Sequence, residues 1–302
     1  VNDGVNRSVY NHLVACNNEK YRLSKMVSFV PAYRDKLDSL SNMTGPVRNV
    51  KNALPYLYGK DVDEQAIANA MKNYSTAWKN QRERHTGVPA FKRKSYELSY
   101  QTNAHYRKTP DGLKCNVRFE DIRHVTLPKL GRIRIGASPK ILKALRERTC
   151  DTRISSICIS RDSIGEYWAS FSIASEEPFY ETRPKTGKMH GIDLNLLELV
   201  NASDGSSSEN RRYRRQMKKK LSKSQRKQSR MYEHAKKDGR SLKTSTNYQE
   251  QRRKTAYIHR KVERRRTDYL HVLSKREVEN QDFIAAEDLK VRNMMKNHNL
   301  AG

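Results

Sequence analysis

The sequence predicts an α+β chain of several domains: a helical region over residues 1–94, a small β-barrel over 95–186, and an α/β domain over 187–302. Three observations predict it. Apolar residues recur at helical spacing through the first third, and short alternating runs separated by turns fill the middle. In the last third, two apolar strand-like pieces each end in a carboxylate, with a very basic stretch between them.

In the first region Val9 and Leu13, then Ala66, Ala70, Tyr74, Ala77 and Trp78, recur three and four residues apart. Pro31, Gly45-Pro46 and Pro55 cut the region into short helices, and Gly87-Val88-Pro89 ends it. Phe91-Lys92-Arg93-Lys94 opens the next segment. One aromatic among three cations suits base stacking with backbone contact, although an ordinary basic loop reads equally well.

The middle region is expected to be β-rich. Leu113 to Phe119 alternates with period two, and Arg132 to Ile135 does so after the turn Leu127-Pro128-Lys129-Leu130-Gly131. Ile154 to Ile159 and Tyr167 to Ile173 read as a hairpin closed around Gly165. Short strands with turns between them predict a barrel or curled sheet. Residues 176–188, with two prolines, read as a linker.

In the third region, Gly191-Ile192-Asp193-Leu194 reads as a strand, with a turn at Asn195 and a second strand from Leu197 to Asn201. Ile258, Val262, Tyr269 and Leu273 stripe a long helix, and Asp238-Gly239 with residues 241–246 marks a loop between two helical arms. A last strand, 283–286, delivers Glu287. A carboxylate on an apolar strand is costly unless it meets a cation or a partner. Alone, Asp193 reads as a strand-end aspartate and Glu287 as an exposed acid. Together they read as ligands of a divalent metal, because carboxylates hold hard cations while leaving positions open for water and phosphate. Asp288, next in sequence, is expected to point away from that site.

Charge narrows the partner. The chain has 61 Lys+Arg against 33 Asp+Glu, a formal charge of +28, and a pI near 10.0. That balance favours a polyanion, with counterion release supplying much of the affinity. Between Arg211 and Arg266 there are 23 Lys/Arg and four acids, too uneven for i,i+4 pairing to explain. Arg211, Arg212, Arg214, Arg215, Lys218 and Lys219 head this run and are candidate phosphate ligands. Hydrophobic residues make up 35% of the chain, low for a compact enzyme, so much of the surface is expected to order fully only on nucleic acid. No apolar run is long enough to span a membrane and no leader is visible, so a cytoplasmic home is the expectation. Cys16, Cys115, Cys150 and Cys158 form no Cys-x-x-Cys pair, so no zinc site is expected. The histidines show no metal-ligand spacing, and His259 and His271 read as surface or packing residues.

Taken in order, these motifs resemble the TnpB (OrfB) family of insertion-sequence-encoded proteins, relatives of the compact type V CRISPR effectors. Arg7-Ser8-Val9-Tyr10-Asn11-His12 is similar to the family's early Arg-x-x-Tyr-Asn helix. Residues 65–78 followed by Gly87-Val88-Pro89-Ala90-Phe91-Lys92 resemble its helix and Gly-x-Pro-x-Phe-Lys element. Leu127 to Gly131 resembles a turn of its barrel, and Gly191 to Leu194 its first RuvC motif. Ile258 to Val262, with Arg265, Asp268, Leu270 and His271, resembles the basic helix before the second motif. Glu287-Asp288-Leu289 and Met294-Met295-Lys296-Asn297-His298 resemble that motif and its tail.

The resemblance implies a helical nucleic-acid recognition region, a wedge-like β-barrel and a RuvC/RNase H-like α/β nuclease domain. It implies an RNA-guided DNA endonuclease of transposon origin whose partners are guide RNA and target double-stranded DNA. Asp193 and Glu287 are then catalytic ligands of a two-Mg²⁺ site. Arg7, Tyr10, Asn11 and Phe91 to Lys94 are then nucleic-acid-binding, and Asp268 is structural. Three departures stand out. Asn195 replaces the family's usual Gly, and Asn tolerates left-handed backbone. The family's opening strand has no counterpart before Val1, so the barrel is expected to lack an edge. The third motif, with its aspartate, and the zinc ribbon have no counterpart, so the nuclease domain is expected to be C-terminally incomplete and cutting weak or absent. A cleavage-inactive RNA/DNA-binding remnant is the alternative, and a basic RNA-binding structural protein a third reading that the two carboxylate strands oppose.

Overall fold

The computed structural model describes residues 1–95, 97–110, 112–136, 143, 152–176, 184–195, 198–279 and 281–289. The chain divides into two units, Val1–Phe179 and Tyr180–Gly302.

The first unit opens with helix α1 (Asn2–Ser24), followed by α2 (Tyr33–Met43), α3 (Val47–Ala53), a 3-10 turn (Pro55–Tyr58) and α4 (Glu64–Arg84). The breaks fall at the prolines and glycine that predict them. Asp63 caps α4 by accepting from the Gln65 N–H at 3.0 Å. At its other end His85 takes a left-handed conformation, φ 50°. Val5, Val9, Leu13, Val50, Leu57 and Ile67 form the helical core. Ala66, one residue before Ile67 on α4, belongs instead to a second core with Tyr100, Val125, Leu127 and Ile157. Helix α4 thus seats the β region on the helices, and the buried Asn69 donates from Nδ2 to the Gln101 carbonyl at 3.0 Å.

The β region is not a closed barrel among the described residues. It forms three small sheets. Strands β1 (Leu98–Asn103), β7 (Thr152–Arg161) and β8 (Tyr167–Ser175) make one, antiparallel throughout. Strands β2 (Tyr106–Thr109) and β3 (Gly112–Cys115) make the second, and β4 (Arg118–Phe119), β5 (His124–Leu127) and β6 (Gly131–Arg134) the third. The expected hairpin around Gly165 is present, with that glycine at φ 97°. The expected continuous strand from Leu113 to Phe119 is not. Asn116 exchanges hydrogen bonds with the His105 backbone, its side chain accepting at 2.7 Å and its N–H donating at 3.2 Å. That pairing ends β3 and hands β4 to a different sheet, so strands of two to four residues cannot curl into one closed ladder.

The second unit is a four-stranded sheet with a helical hairpin. Sheet order is β11 (Ser207–Glu209), β10 (Glu198–Ala202), β9 (Met189–Asp193), β12 (Phe283–Ala286). A short helix α5 (Tyr213–Gln216) leads into α6 (Lys218–Lys237) and the long α7 (Thr246–Val278). Helix α6 ends in a Schellman pattern, with Gly239 at φ 64° and the Arg240 N–H on the Ala235 carbonyl at 2.9 Å. Ser245 caps α7. The two arms are joined by Leu221, Ala235 and Ile258 and by a buried polar seam, where Gln251 Nε2 donates to Ser224 Oγ at 2.9 Å. Ser224 Oγ also lies 2.9 Å from Thr255 Oγ1. Among the described residues no helix is long and apolar enough to cross a membrane.

Candidate carboxylate pair and nucleic-acid interface

Strand β9 is central in its sheet and carries Asp193 at its C-terminal end. Strand β12 runs parallel to it, with Phe283 opposite Met189, Ile284 opposite His190, Ala285 opposite Gly191 and Ala286 opposite Ile192. One more residue along each strand brings Glu287 level with Asp193. In-register residues of adjacent strands point to the same face, and strands lie about 4.8 Å apart. Both residues are exposed. The chain turns at once after Glu287, with the Leu289 N–H on the Glu287 carbonyl at 3.1 Å. On the other side of β9, Asn201 of β10 stands opposite Asp193.

Strand register is fixed at its start by Asp282. Its carboxylate accepts from the Thr186 N–H at 2.8 Å and the Gly187 N–H at 2.6 Å, and its own N–H donates to the Lys188 carbonyl at 3.0 Å. The Thr186 and Gly187 backbone bonds hold this carboxyl below the usual range. Ser203 secures the other edge, accepting from the Gly191 N–H at 3.0 Å and donating its own N–H to the Gly191 carbonyl at 2.8 Å. Asn195 closes the following turn by accepting from the Glu198 N–H at 2.9 Å. Asn195 itself is not among the left-handed residues, so it acts here through its side chain.

The opposite face of β9 is covered by α7. Met189, on the carboxylate side, is 78% exposed, whereas His190 is 5% exposed. The His190 Nε2–H donates to Glu277 Oε2 at 3.0 Å, and Glu277 is itself buried. Glu277 Oε1 accepts from Arg276 Nε at 3.0 Å and Nη2 at 2.6 Å, and Arg276 Nη2 also reaches Ser208 Oγ on β11. Sequence reasoning misses these residues because 87 positions separate His190 from Glu277. The only local signal is an ionisable residue at the inward position of an apolar strand.

The remaining candidates fall into two groups. In the first unit, Tyr10 is buried and its ring meets Tyr74 edge-on at 5.5 Å. The Lys92 Nζ sits 3.9 Å over the Tyr10 ring. Burial raises the Tyr10 pKa and lowers that of Lys92. Asn11 clamps the Lys92 backbone, donating from Nδ2 to its carbonyl at 3.0 Å and accepting its N–H at 2.7 Å. Tyr10, Asn11 and Lys92 are therefore brought together and hold the basic segment against α1. Phe91, Arg93 and Lys94 are exposed on that segment, and Arg7 is half-buried on α1. In the second unit, Arg211, Arg212, Arg214, Arg215, Lys218 and Lys219 are all exposed, along the entry to α5 and the first turn of α6. The tail motif 294–298 lies outside the described residues.

The family model described as "Probable transposase", OrfB_IS605, matches residues 170–298, a span that holds both carboxylate strands and the basic hairpin. Over that span the chain is similar to the OrfB_IS605 family. Among curated relatives, it is 26% identical over 295 residues to an Escherichia coli K12 protein named "Putative RNA-guided DNA endonuclease InsQ". That alignment covers 97% of this chain and 62% of the relative. A Streptomyces pristinaespiralis protein named "Putative RNA-guided DNA endonuclease" is 34% identical over 147 residues, covering 49% of this chain and 33% of its own length. The chain thus spans less than two thirds of either relative. A chain of a solved CRISPR-Cas12f ternary complex aligns over 97% of this chain and 64% of that one, at 10% identity and a TM-score of 0.28. A likeness that weak carries no argument.

The donor set bears on the metal directly. Two carboxylates at adjacent strand ends are hard oxygen donors of the kind Mg²⁺ takes. Among the described residues no group of three or more His, Cys, Asp or Glu side chains is arranged to hold a metal ion. The pair fits Mg²⁺ as part of a ligand set that water and phosphate oxygens would complete.

Proposed function

We propose that this chain binds guide RNA and target double-stranded DNA and carries part of an Mg²⁺-dependent RuvC-type site for phosphodiester hydrolysis, in an RNA-guided DNA endonuclease of transposon origin. The observation that carries the reading is the parallel pairing of β9 and β12, which puts Asp193 and Glu287 on one face at one end of the sheet. The names of the relatives support the substrate class, and the cation-rich entry to the helical hairpin supports a phosphate-bearing partner.

Asp193 and Glu287 are the catalytic residues of this reading and would hold the metal. Mg²⁺, when bound, supplies charge stabilisation for the attacking and leaving oxygens of phosphodiester displacement. The chain's own residues do the rest. Asp282 and Ser203 set the register of the strands beneath the carboxylates. His190 ties that layer to the end of α7, which keeps the opposite face dry. Arg211, Arg212, Arg214, Arg215, Lys218 and Lys219 hold phosphates, and Arg7, Tyr10, Asn11 and Phe91 to Lys94 form the contact surface of the first unit, with Tyr10 and Asn11 acting through the segment they anchor. The domain plan that goes with this reading is recognition helices over 1–94, a wedge-like region over 95–186 and the nuclease domain over 187–302.

A second reading is binding without cutting: the described residues bring two carboxylates together and no third, and two alone would hold and align a metal weakly. Guide-programmed cleavage of a matched duplex with and without Mg²⁺, alongside RNA affinity, separates the two. Mg²⁺-dependent cleavage lost in Asp193→Ala, with RNA affinity retained, supports the nuclease. Salt-sensitive RNA binding unchanged by that substitution, with no cleavage in either protein, supports the binder.

A further inference from the structure

Between β11 and α7 the second unit carries an open recess of about 390 Å³. Its walls include Arg211, Tyr213, Asp268, Tyr269 and Arg276. The side chains are held in place. The Tyr269 hydroxyl donates to the Glu209 carbonyl at 2.7 Å, and its ring meets Tyr213 edge-on with centroids 6.1 Å apart. Above that ring, 4.6 Å from its centroid, lies the Arg211 guanidinium. One face of Arg211 is stacked on protein, and the residue is exposed. Arg276 is fixed by Glu277 and Ser208 through Nε and Nη2, bonds that do not involve Nη1. Asp268 is exposed beside them.

Each group matches one part of a nucleotide. A guanidinium plane backed by an aromatic ring is a stacking platform for a base. A fixed and exposed arginine whose anchoring bonds use Nε and Nη2 has Nη1 to offer a phosphate oxygen. A carboxylate accepts from a base edge that presents N–H donors, and guanine presents two adjacent ones, N1–H and N2–H, on its Watson–Crick edge. A duplex cannot offer that edge, because it is already paired.

We propose that this recess receives one unstacked guanine nucleotide of a single-stranded segment, its base on the Arg211–Tyr269 stack, its edge on Asp268 and its phosphate on Arg276. The inference rests on the nucleic-acid-binding reading above and deepens it by naming a subsite. RNA and DNA strands share this chemistry. Occupancy would also be felt at the carboxylate strand, since Arg276 bonds Glu277 and Glu277 bonds His190 of β9.

The test is fluorescence anisotropy of the full chain with labelled oligouridine of about twelve nucleotides, with and without one central guanine, the matching deoxy strands, and a duplex of equal length. The expected result is tighter binding of the guanine-containing strand, in the RNA arm, the DNA arm or both, which identifies the source. Arg211→Ala lowers affinity for that strand about tenfold and lowers duplex affinity by less, the share of one lost phosphate contact. Arg211→Lys keeps the charge but not the plane, and loses the guanine preference as well. Asp268→Asn loses the preference while binding plain oligouridine as before. Thermal melts confirm that each exposed-site variant is folded. Absence of a guanine preference in the unmodified chain overturns the subsite, as does an equal loss on single strand and duplex in Arg211→Ala. If the unmodified chain binds no strand and no duplex, the nucleic-acid reading itself falls with it.

Discussion

Replacing Glu277 by alanine removes the acceptor for a histidine that has no water to turn to. His190 is 5% exposed and Glu277 7%. The substitution deletes the bond from His190 Nε2 and both bonds from Arg276. Arg276 is 55% exposed and can return to solvent, so the stranded imidazole dominates. An unsatisfied buried polar group costs about 1–3 kcal/mol, and breaking a buried pair costs about 3–5 kcal/mol. We expect about 3 kcal/mol, confined to the second unit. The double variant His190→Leu with Glu277→Met removes both polar groups and should recover most of that loss. Since the chain has two units, a single global unfolding energy is ill-defined. The assay is therefore hydrogen exchange in increasing urea, read on peptides spanning 189–193. A loss below about 1 kcal/mol in Glu277→Ala, or a double variant no more stable than the single, would refute the argument that this pair anchors β9.

Asn11→Ala should free the Lys92 backbone, speeding proteolysis after Lys92 and Arg93 while α1 stays helical; the reading is the cleavage rate by mass spectrometry. Asp282 has a folded pKa below its unfolded value, so its anchor is at full strength above about pH 4 and is lost as pH falls through the lower folded value. Exchange protection of the Thr186 and Gly187 amides should therefore match at pH 7 and 5 and fall below pH 4, and Asp282→Ala should remove it at every pH. Replacing Arg214, Arg215, Lys218 and Lys219 together by alanine should lower duplex affinity and flatten the plot of log K against log salt by about 0.9 for each phosphate no longer neutralised; an unchanged slope would place these cations in solvent.

Much of the second unit is legible in the sequence because its signals are local. The apolar piece around Gly191-Ile192-Asp193, the apolar run before Glu287 and the stripe Ile258, Val262, Tyr269, Leu273 each point to one element. The Asp238-Gly239 pair marks the hairpin turn that Gly239 makes in a left-handed conformation. Pairing is less legible. The barrel expectation fails at Asn116, whose bonds with His105 split one alternating run between two sheets. Asn195 suits its turn by backbone tolerance, yet it works through its side chain. Polar residues that look like surface carry most of what pattern does not show. Ser224, Gln251 and Thr255 zip the helical arms together, Asn11 clamps Lys92, and His190 meets Glu277. None of these pairings has a period to read, since each depends on which distant segment the fold brings up against it.

The central claim is that Asp193 and Glu287, 94 positions apart in the chain, form one cation site. Mn²⁺ titration followed by electron paramagnetic resonance, with Mg²⁺ as competitor, tests it without requiring turnover. The account predicts a saturable site in the unmodified chain that Mg²⁺ displaces, and its loss in Asp193→Ala and in Glu287→Ala alike. Unchanged Mn²⁺ binding in either variant would contradict it.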